Sequence, residues 1–300
     1  MAHNHAHTHS HYDKAFAWGI ALNVGYIVVE VVFGLWVNSL ALLADAGHNL
    51  SDVLGLVLAW GAHYLTRLKP TERHTYGWRS TSILAALTNA LILLVAVGGI
   101  AWEAVRRFGI PAEVGGTTVM WVAGAGVVIN GITAMLFFKG RHGDLNIRGA
   151  FLHMTADAAV SLGVVVAGAA IYLTGWNWVD SATSLAVAVF IFLGTWGLLR
   201  DSVDLALHAV PRGVATGEVR EYLRNLPGVR EVHDLHIWGL STTHIALTAH
   251  LVKPDADGED ALLARISEEL HERFGIDHST VQLERDADAA QCRQAPPETV

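Results

Sequence analysis

The sequence predicts a mostly α membrane protein: a six-helix transmembrane bundle followed by a small α+β domain. Three observations predict it. Hydrophobic residues make up 52% of the 300 positions and charged residues only 16%, where a soluble domain carries about 25% charge. Six apolar segments each approach the ~20 residues needed to cross roughly 30 Å of hydrocarbon. The charge is also divided along the chain, with 11 basic and 10 acidic side chains in residues 1–200 but 9 and 18 in residues 201–300. A nearly neutral half built for the lipid bilayer thus precedes an acidic half. That acidity excludes nucleic acid as a partner and suits attraction of cations.

Residues 1–13 place histidine at 3, 5, 7, 9 and 11. The tract has nothing to pack and is expected to be disordered. His-rich composition suggests metal capture, against the alternatives of an expression tag or a neutral tail. No basic n-region precedes an apolar stretch, so no cleavable signal peptide is expected. Cys292 is the only cysteine, which excludes an intrachain disulfide and a thiolate metal cluster.

The bundle is assigned to residues 14–204. Its spans are Ala15–Val37, Leu40–Leu65, Ser80–Ala101, Thr117–Phe138, Gly149–Leu173 and Ser181–Leu199. Their internal charges are few: Glu30 in the first, Asp45 and Asp52 in the second, Asp157 in the fifth. Glycines in the fourth and fifth (Gly124, Gly126, Gly131, Gly163, Gly168) suit close helix packing. Lys14, Arg67, Lys69, Arg73, Arg79, Lys139, Arg141, Arg148 and Arg200 flank one membrane face, and only Arg106 and Arg107 the other. The positive-inside rule then puts both termini in the cytoplasm.

The pattern changes after about residue 205. Residues 205–286 read α-β-β-α-β: a helix over Glu218–Leu226, strands over Val232–Trp238 and Thr243–Val252, a helix over Asp260–Phe274 and a strand over His278–Glu284. Residues 287–300 read as a C-terminal tail.

One pattern occurs twice in the apolar spans. His48-Asn49-Leu50-Ser51-Asp52 and His153-Met154-Thr155-Ala156-Asp157 are both His-x-x-x-Asp. Residues i and i+4 share a helix face, so each pair points its imidazole and carboxylate one way. Ionisable groups at membrane depth are costly and mark function. Two nitrogen and two oxygen donors make a tetrahedral set suited to Zn²⁺, with Cd²⁺, Co²⁺ and Ni²⁺ as further substrates of the same donor set. Four unrelated polar residues in helix contacts is the competing reading, and it suits a single histidine better than two matched pairs.

Other residues remain open at this point. Asp45 shares the face of His48 and Asp52. It is either an outer hydrogen-bond partner of a ligand or a solvated group in the headgroup region. Glu30 has no ligand partner within its own segment and is assigned a structural or gating role. Ser161 shares the face of His153 and is read as a packing serine. In the acidic half, His233 and His250 lie where two strands could bring them together, with Asp234 or Glu284 to complete a metal site. The run Asp255, Asp257, Glu259 and Asp260 reads as a solvated helix start. No H-E-x-x-H or G-x-x-x-x-G-K-[ST] motif is present, so neither a zinc-protease reaction nor direct ATP drive is expected. The chain is read as not an enzyme and as needing no cofactor, with the metal as its cargo.

The stretch Val29-Glu30-Val31-Val32-Phe33-Gly34 followed by Asn38-Ser39-Leu40-Ala41-Leu42-Leu43-Ala44-Asp45-Ala46-Gly47-His48-Asn49-Leu50-Ser51-Asp52 closely resembles the cation diffusion facilitator family. The zinc-type branch, with its cobalt-zinc-cadmium efflux proteins, is most similar. The second His-x-x-x-Asp, the His-rich start and His233-Asp234-Leu235-His236-Ile237-Trp238 extend the resemblance over nearly the whole chain. It implies a homodimer in the bacterial inner membrane that exports divalent metal in exchange for protons, with His48, Asp52, His153 and Asp157 as the transport site. It also implies a ferredoxin-like cytoplasmic domain that binds metal, with ligands at His233 and His250. Two positions depart from the pattern. Trp78 stands where some members pair a histidine with the equivalent of His74, and Gln282 stands at another ligand position.

The mechanism expected is alternating access. Metal needs neutral histidine and ionised aspartate, so protons compete with it for the same atoms. Two other classes compete with the transporter: a membrane-anchored metal sensor or storage protein, which would bind without flux, and a passive channel without proton coupling. A metallohydrolase is disfavoured because four protein ligands leave no position for a catalytic water.

Overall fold

The computed structural model describes residues 9–66, 68–110, 112–138, 145–255 and 258–285. Six long helices come first: α1 His9–Trp36, α2 Leu40–Thr66, α3 Thr81–Gly109, α4 Gly116–Phe137, α5 Leu145–Thr174 and α6 Trp178–Ala206. A small domain follows, with α7 Thr216–Arg224, β1 Glu231–Gly239, β2 Ile245–Val252, α8 Glu259–Phe274 and β3 His278–Glu284. Contacts divide the chain into one unit of residues 1–57 and 89–197 and another of residues 58–88 and 198–300.

The helices agree with the apolar segments but several overrun them. α1 begins at His9, so the last part of the tract expected to be disordered is helical. Nothing in His9–Lys14 breaks a helix, and backbone bonding simply continues. The remaining residues of the tract lie outside the described residues, as does the C-terminal tail from 286 onward. α3 runs through Arg106 and Arg107 to Gly109. Glu103 binds both arginines at 3.1 Å from one turn earlier, which carries the helix past its apolar part. Among the described residues, four helical stretches are long and apolar enough to cross a membrane: Thr81–Gly109, Gly116–Leu136, Phe151–Thr174 and Trp178–Ala206. Ala21–Trp36 of α1 is a shorter apolar helix.

The first unit is apolar outside and polar inside. Val95 and Leu173 are 77% and 78% exposed, while Glu30, Asp45, Asn49, Asp157 and Ser161 are buried. That inversion marks an integral membrane protein, whose outer side chains face lipid. α2 is its centre. Ala41 and Leu42 pack with Val119, Val122 and Ala123 of α4 and Val164 of α5. Ala44 packs instead with Leu93 and Val97 of α3 and Val187, Ala188 and Ile191 of α6. α4 and α5 approach closely through two glycines: a Cβ on Gly168 would sit 2.8 Å from Met120 N, and one on Gly116 2.8 Å from Gly168 O. Small residues permit this backbone approach.

The entry to α2 is fixed by two residues. Asn38 takes a left-handed conformation (φ 56°) that ends α1, a conformation asparagine tolerates better than most residues. The Asp180 carboxylate of α6 then accepts from Ser39 Oγ at 2.5 Å, Leu40 N at 2.8 Å and Ala41 N at 3.3 Å. It thereby satisfies amides that the first turn of α2 leaves unpaired.

In the second unit, β2 lies between β1, to which it is antiparallel, and β3, to which it is parallel. α7 and α8 cover one face. The core joins Val219, Tyr222 and Leu223 of α7 to Leu235, Ile237, Leu247 and Leu251 of the sheet and Ile266 and Leu270 of α8. Burial, with the Glu269 charge beside it, pushes the Tyr222 hydroxyl up to about 12. Gly275 (φ 66°) ends α8, and Ile276 N returns to Leu270 O at 3.1 Å. Only a residue without Cβ takes that turn at no steric cost.

Candidate metal-transport site

The four His-x-x-x-Asp residues meet where α2 faces α5. His48 Nε2 lies 3.2 Å from Asp157 Oδ1, and His153 Nε2 lies 3.3 Å from Asp52 Oδ2. Within each helix, His48 Nδ1 is 3.9 Å from Asp52 Oδ2 and His153 Nε2 is 3.7 Å from Asp157 Oδ2. A regular tetrahedron with arms of about 2.0–2.1 Å has edges of about 3.3–3.4 Å, and the two contacts between helices, at 3.2 and 3.3 Å, match that edge. One further contact fits: His48, Asp52 and Asp157 each offer an atom within 4.8 Å of the others. Asp157 is buried, His48 and Asp52 are partly buried, and the His153 side chain is 42% exposed.

The contacts form a ladder. Asp45 of α2 meets Ser161 of α5, His48 meets Asp157, and Asp52 meets His153. Partners on α5 step back by four residues as those on α2 step forward by three or four, which is the register of two antiparallel helices.

The structure therefore revises two readings. Ser161 is not a packing serine: its hydroxyl donates to Asp45 Oδ2 at 2.8 Å. Asp45 is fully buried, which excludes a solvated headgroup position, and its hydrogen bond goes to Ser161 and not to a ligand histidine. Glu30 of α1 is also fully buried and accepts from Asn49 Nδ2 of α2 at 3.2 Å. The stripe on α2 is thus shared, with α1 and α5 both bonded to it. The sequence carried a signal for Ser161, since 153, 157 and 161 repeat every four residues.

The small domain holds a second cluster. His233 and His250 are directly paired across β1 and β2, with ring centroids 5.4 Å apart. Glu284 of β3 reaches both, at 3.2 Å to His233 Nε2 and 3.0 Å to His250 Nδ1. The three form a group able to hold a metal ion. A bulge in β1 between His233 and His236 turns Asp234 to a left-handed φ of 50°. A bulge re-aims side chains, and here the Asp234 carboxylate stands 2.9 Å from His236 Nε2 and 3.6 Å from His250 Nε2. Gln282 donates to Glu284 Oε1 at 3.0 Å, orienting the carboxylate. His74 stacks on Trp78 with centroids 4.3 Å apart.

Comparison with known proteins identifies the family. Residues 17–205 match the family of the cation efflux transmembrane domain, and residues 211–286 that of the cation efflux protein cytoplasmic domain. The zinc transporter ZitB of Escherichia coli (strain K12) is 37% identical, over 95% of this chain and 93% of its own. The metal cation efflux system protein CzcD of Cupriavidus metallidurans is 35% identical, over 98% and 96%. A cadmium, cobalt and zinc/H(+)-K(+) antiporter of Bacillus subtilis (strain 168) is 32% identical, over 96% and 93%. The chain belongs to the cation efflux, or cation diffusion facilitator, family of transporters.

Proposed function

We propose that this chain exports Zn²⁺ from the cytoplasm in exchange for protons, with His48, Asp52, His153 and Asp157 as the transport site. The observation that carries the reading is the pair of N···O contacts, His48–Asp157 at 3.2 Å and His153–Asp52 at 3.3 Å, that join the two His-x-x-x-Asp motifs between α2 and α5. Nitrogen and carboxylate donors in equal number suit Zn²⁺ over hard, oxygen-seeking ions, and they admit Cd²⁺, Co²⁺ and Ni²⁺. The relatives whose names include zinc, cadmium and cobalt support that class.

The chemistry follows from the ligands. A bound ion needs both carboxylates ionised and both imidazoles neutral, so protons displace it and it displaces protons. Exposure of the site to each side in turn then exchanges one for the other. α1 and α2 complete six spans, and both termini lie in the cytoplasm, as the excess of Lys and Arg on that side argues. The membrane is the bacterial inner membrane, and residues 14–204 form the transport domain. Residues 205–286 form a cytoplasmic domain that binds metal through His233, His250 and Glu284 and joins two copies into a homodimer. The chain acts without catalysis or cofactor. A sensor or storage protein and a passive channel are not favoured, since neither accounts for the named activities of full-length relatives.

Expression in cells stripped of their own zinc exporters tests the reading. Lower cellular zinc and restored growth on zinc are expected. Correctly inserted protein that leaves cellular zinc unchanged would overturn it.

A further inference from the structure

Beside the metal site is a second buried acidic group that the four-ligand chemistry does not use. Glu30 of α1 and Asp45 of α2 are both fully buried. Their outer oxygens have donors: Asn49 Nδ2 on Glu30 Oε2 at 3.2 Å and Ser161 Oγ on Asp45 Oδ2 at 2.8 Å. Their remaining oxygens, Glu30 Oε1 and Asp45 Oδ1, have no hydrogen-bond donor. Asn49, which donates to Glu30, follows Asp45 by one turn of α2, so the two acids lie along the same face of that helix. Tyr26 precedes Glu30 by one turn of α1, its hydroxyl 3.4 Å from Val122 O. A Cβ on Gly126 would clash with that hydroxyl, so the glycine lets Tyr26 fit. His48 pairs with Asp52 and Asp157 instead, and among the described residues no Lys, Arg or His forms an ion pair with either acid.

Two buried carboxylates on one helix face, without a cation, cannot both stay ionised cheaply; one proton held between them removes the repulsion. It also satisfies both orphaned oxygens at once, which burial otherwise makes expensive. We propose that Glu30 and Asp45 form a proton-binding site, a carboxyl–carboxylate pair holding one shared proton when the metal site is empty. The proton sits between Glu30 Oε1 and Asp45 Oδ1, and the pair carries one negative charge. Its place in transport rests on the exchange reading above. Asp45 precedes His48 by three residues, about 4.5 Å along the helix. In the orientation proposed, that is toward the outer face, where an incoming proton arrives. An arriving divalent cation repels the shared proton through a low dielectric, so metal entry releases it and metal exit restores it. The exchange thereby gains a proton that no metal ligand carries.

Infrared spectroscopy of the full chain in lipid reads the proton directly. The metal-free wild type should show the C=O stretch of a protonated, buried carboxylic acid at neutral pH. Saturation with Zn²⁺ should reduce it. Glu30→Gln and Asp45→Asn should each shift it, and the double variant E30Q/D45N should lack it. Absence of the band in the wild type overturns the proposal without any variant. So does a band unchanged in the double variant, or one indifferent to Zn²⁺ in protein shown to bind it. Failure of the transport reading shows differently, as absence of Zn²⁺ binding and flux in the wild type with the metal-free band intact.

Discussion

His48 Nε2 and Asp157 Oδ1 stand 3.2 Å apart although 109 residues separate them in the chain. Each belongs to a His-x-x-x-Asp pair, yet the closest contact of each is with the other helix. A metal bound here ties α2 to α5 and contributes nothing if either helix moves away alone. Removing one ligand should therefore weaken Zn²⁺ by more than the roughly 10–100-fold that loss of an outer hydrogen-bond partner costs. His153→Ala, titrated calorimetrically with Zn²⁺ in a chain also carrying His233→Ala and His250→Ala, should show that loss. Unchanged affinity would remove His153 from the site.

The Asp180 cap on α2 sets where the ligand-bearing helix begins. Asp180→Ala leaves the buried Ser39 hydroxyl and the amides of Leu40 and Ala41 without their acceptor. A loss of about 1–3 kcal/mol in stability is expected. Asp180→Asn, which keeps one acceptor oxygen, should lose less. Thermal unfolding in detergent separates the two, and equal melting points for Asp180→Ala and wild type would contradict the cap.

Close packing of α4 on α5 gives a controlled comparison. Gly168→Ala drives a Cβ into backbone atoms of Met120 and Gly116 and should cost about 1–3 kcal/mol. Gly163→Ala on the same helix meets nothing within 4 Å and should be near neutral, or slightly stabilising through helix propensity. The difference in melting temperature between the two variants checks it.

The cytoplasmic cluster predicts metal binding independent of the bundle. In a full chain carrying Asp157→Ala, some tightly bound Zn²⁺ should survive dialysis, and adding His250→Ala should remove it. His250 touches both Glu284 and Asp234, so its loss strips the cluster of its central donor. Elemental analysis after dialysis reads the outcome; retention of the metal would place it on other ligands.

The four proposed transport ligands were legible in the sequence because they use only helical periodicity. Spacing by four puts His48 with Asp52 and His153 with Asp157 whatever the tertiary structure. Their pairing across helices needed only that α2 and α5 be antiparallel neighbours. Ser161 continued the same repeat, but a serine in a membrane helix has many uses, and its role required seeing Asp45 opposite it. Asp234 was less accessible still. Its direction depends on a bulge, and a bulge depends on the register of two strands, which alternation alone does not fix. Helix ends are less legible for a similar reason: the apolar pattern ends near Ala101, whereas α3, with its Glu103 pairs, continues to Gly109.

The proposed exchange carries metal across on these four residues against protons. Its most direct test is flux in proteoliposomes with an imposed pH gradient, wild type beside Asp157→Ala, with zinc and protons read by separate dyes. Zinc movement coupled to opposing proton movement is expected in the wild type, and neither in the variant. Zinc movement indifferent to the gradient, or normal transport by Asp157→Ala, would contradict it.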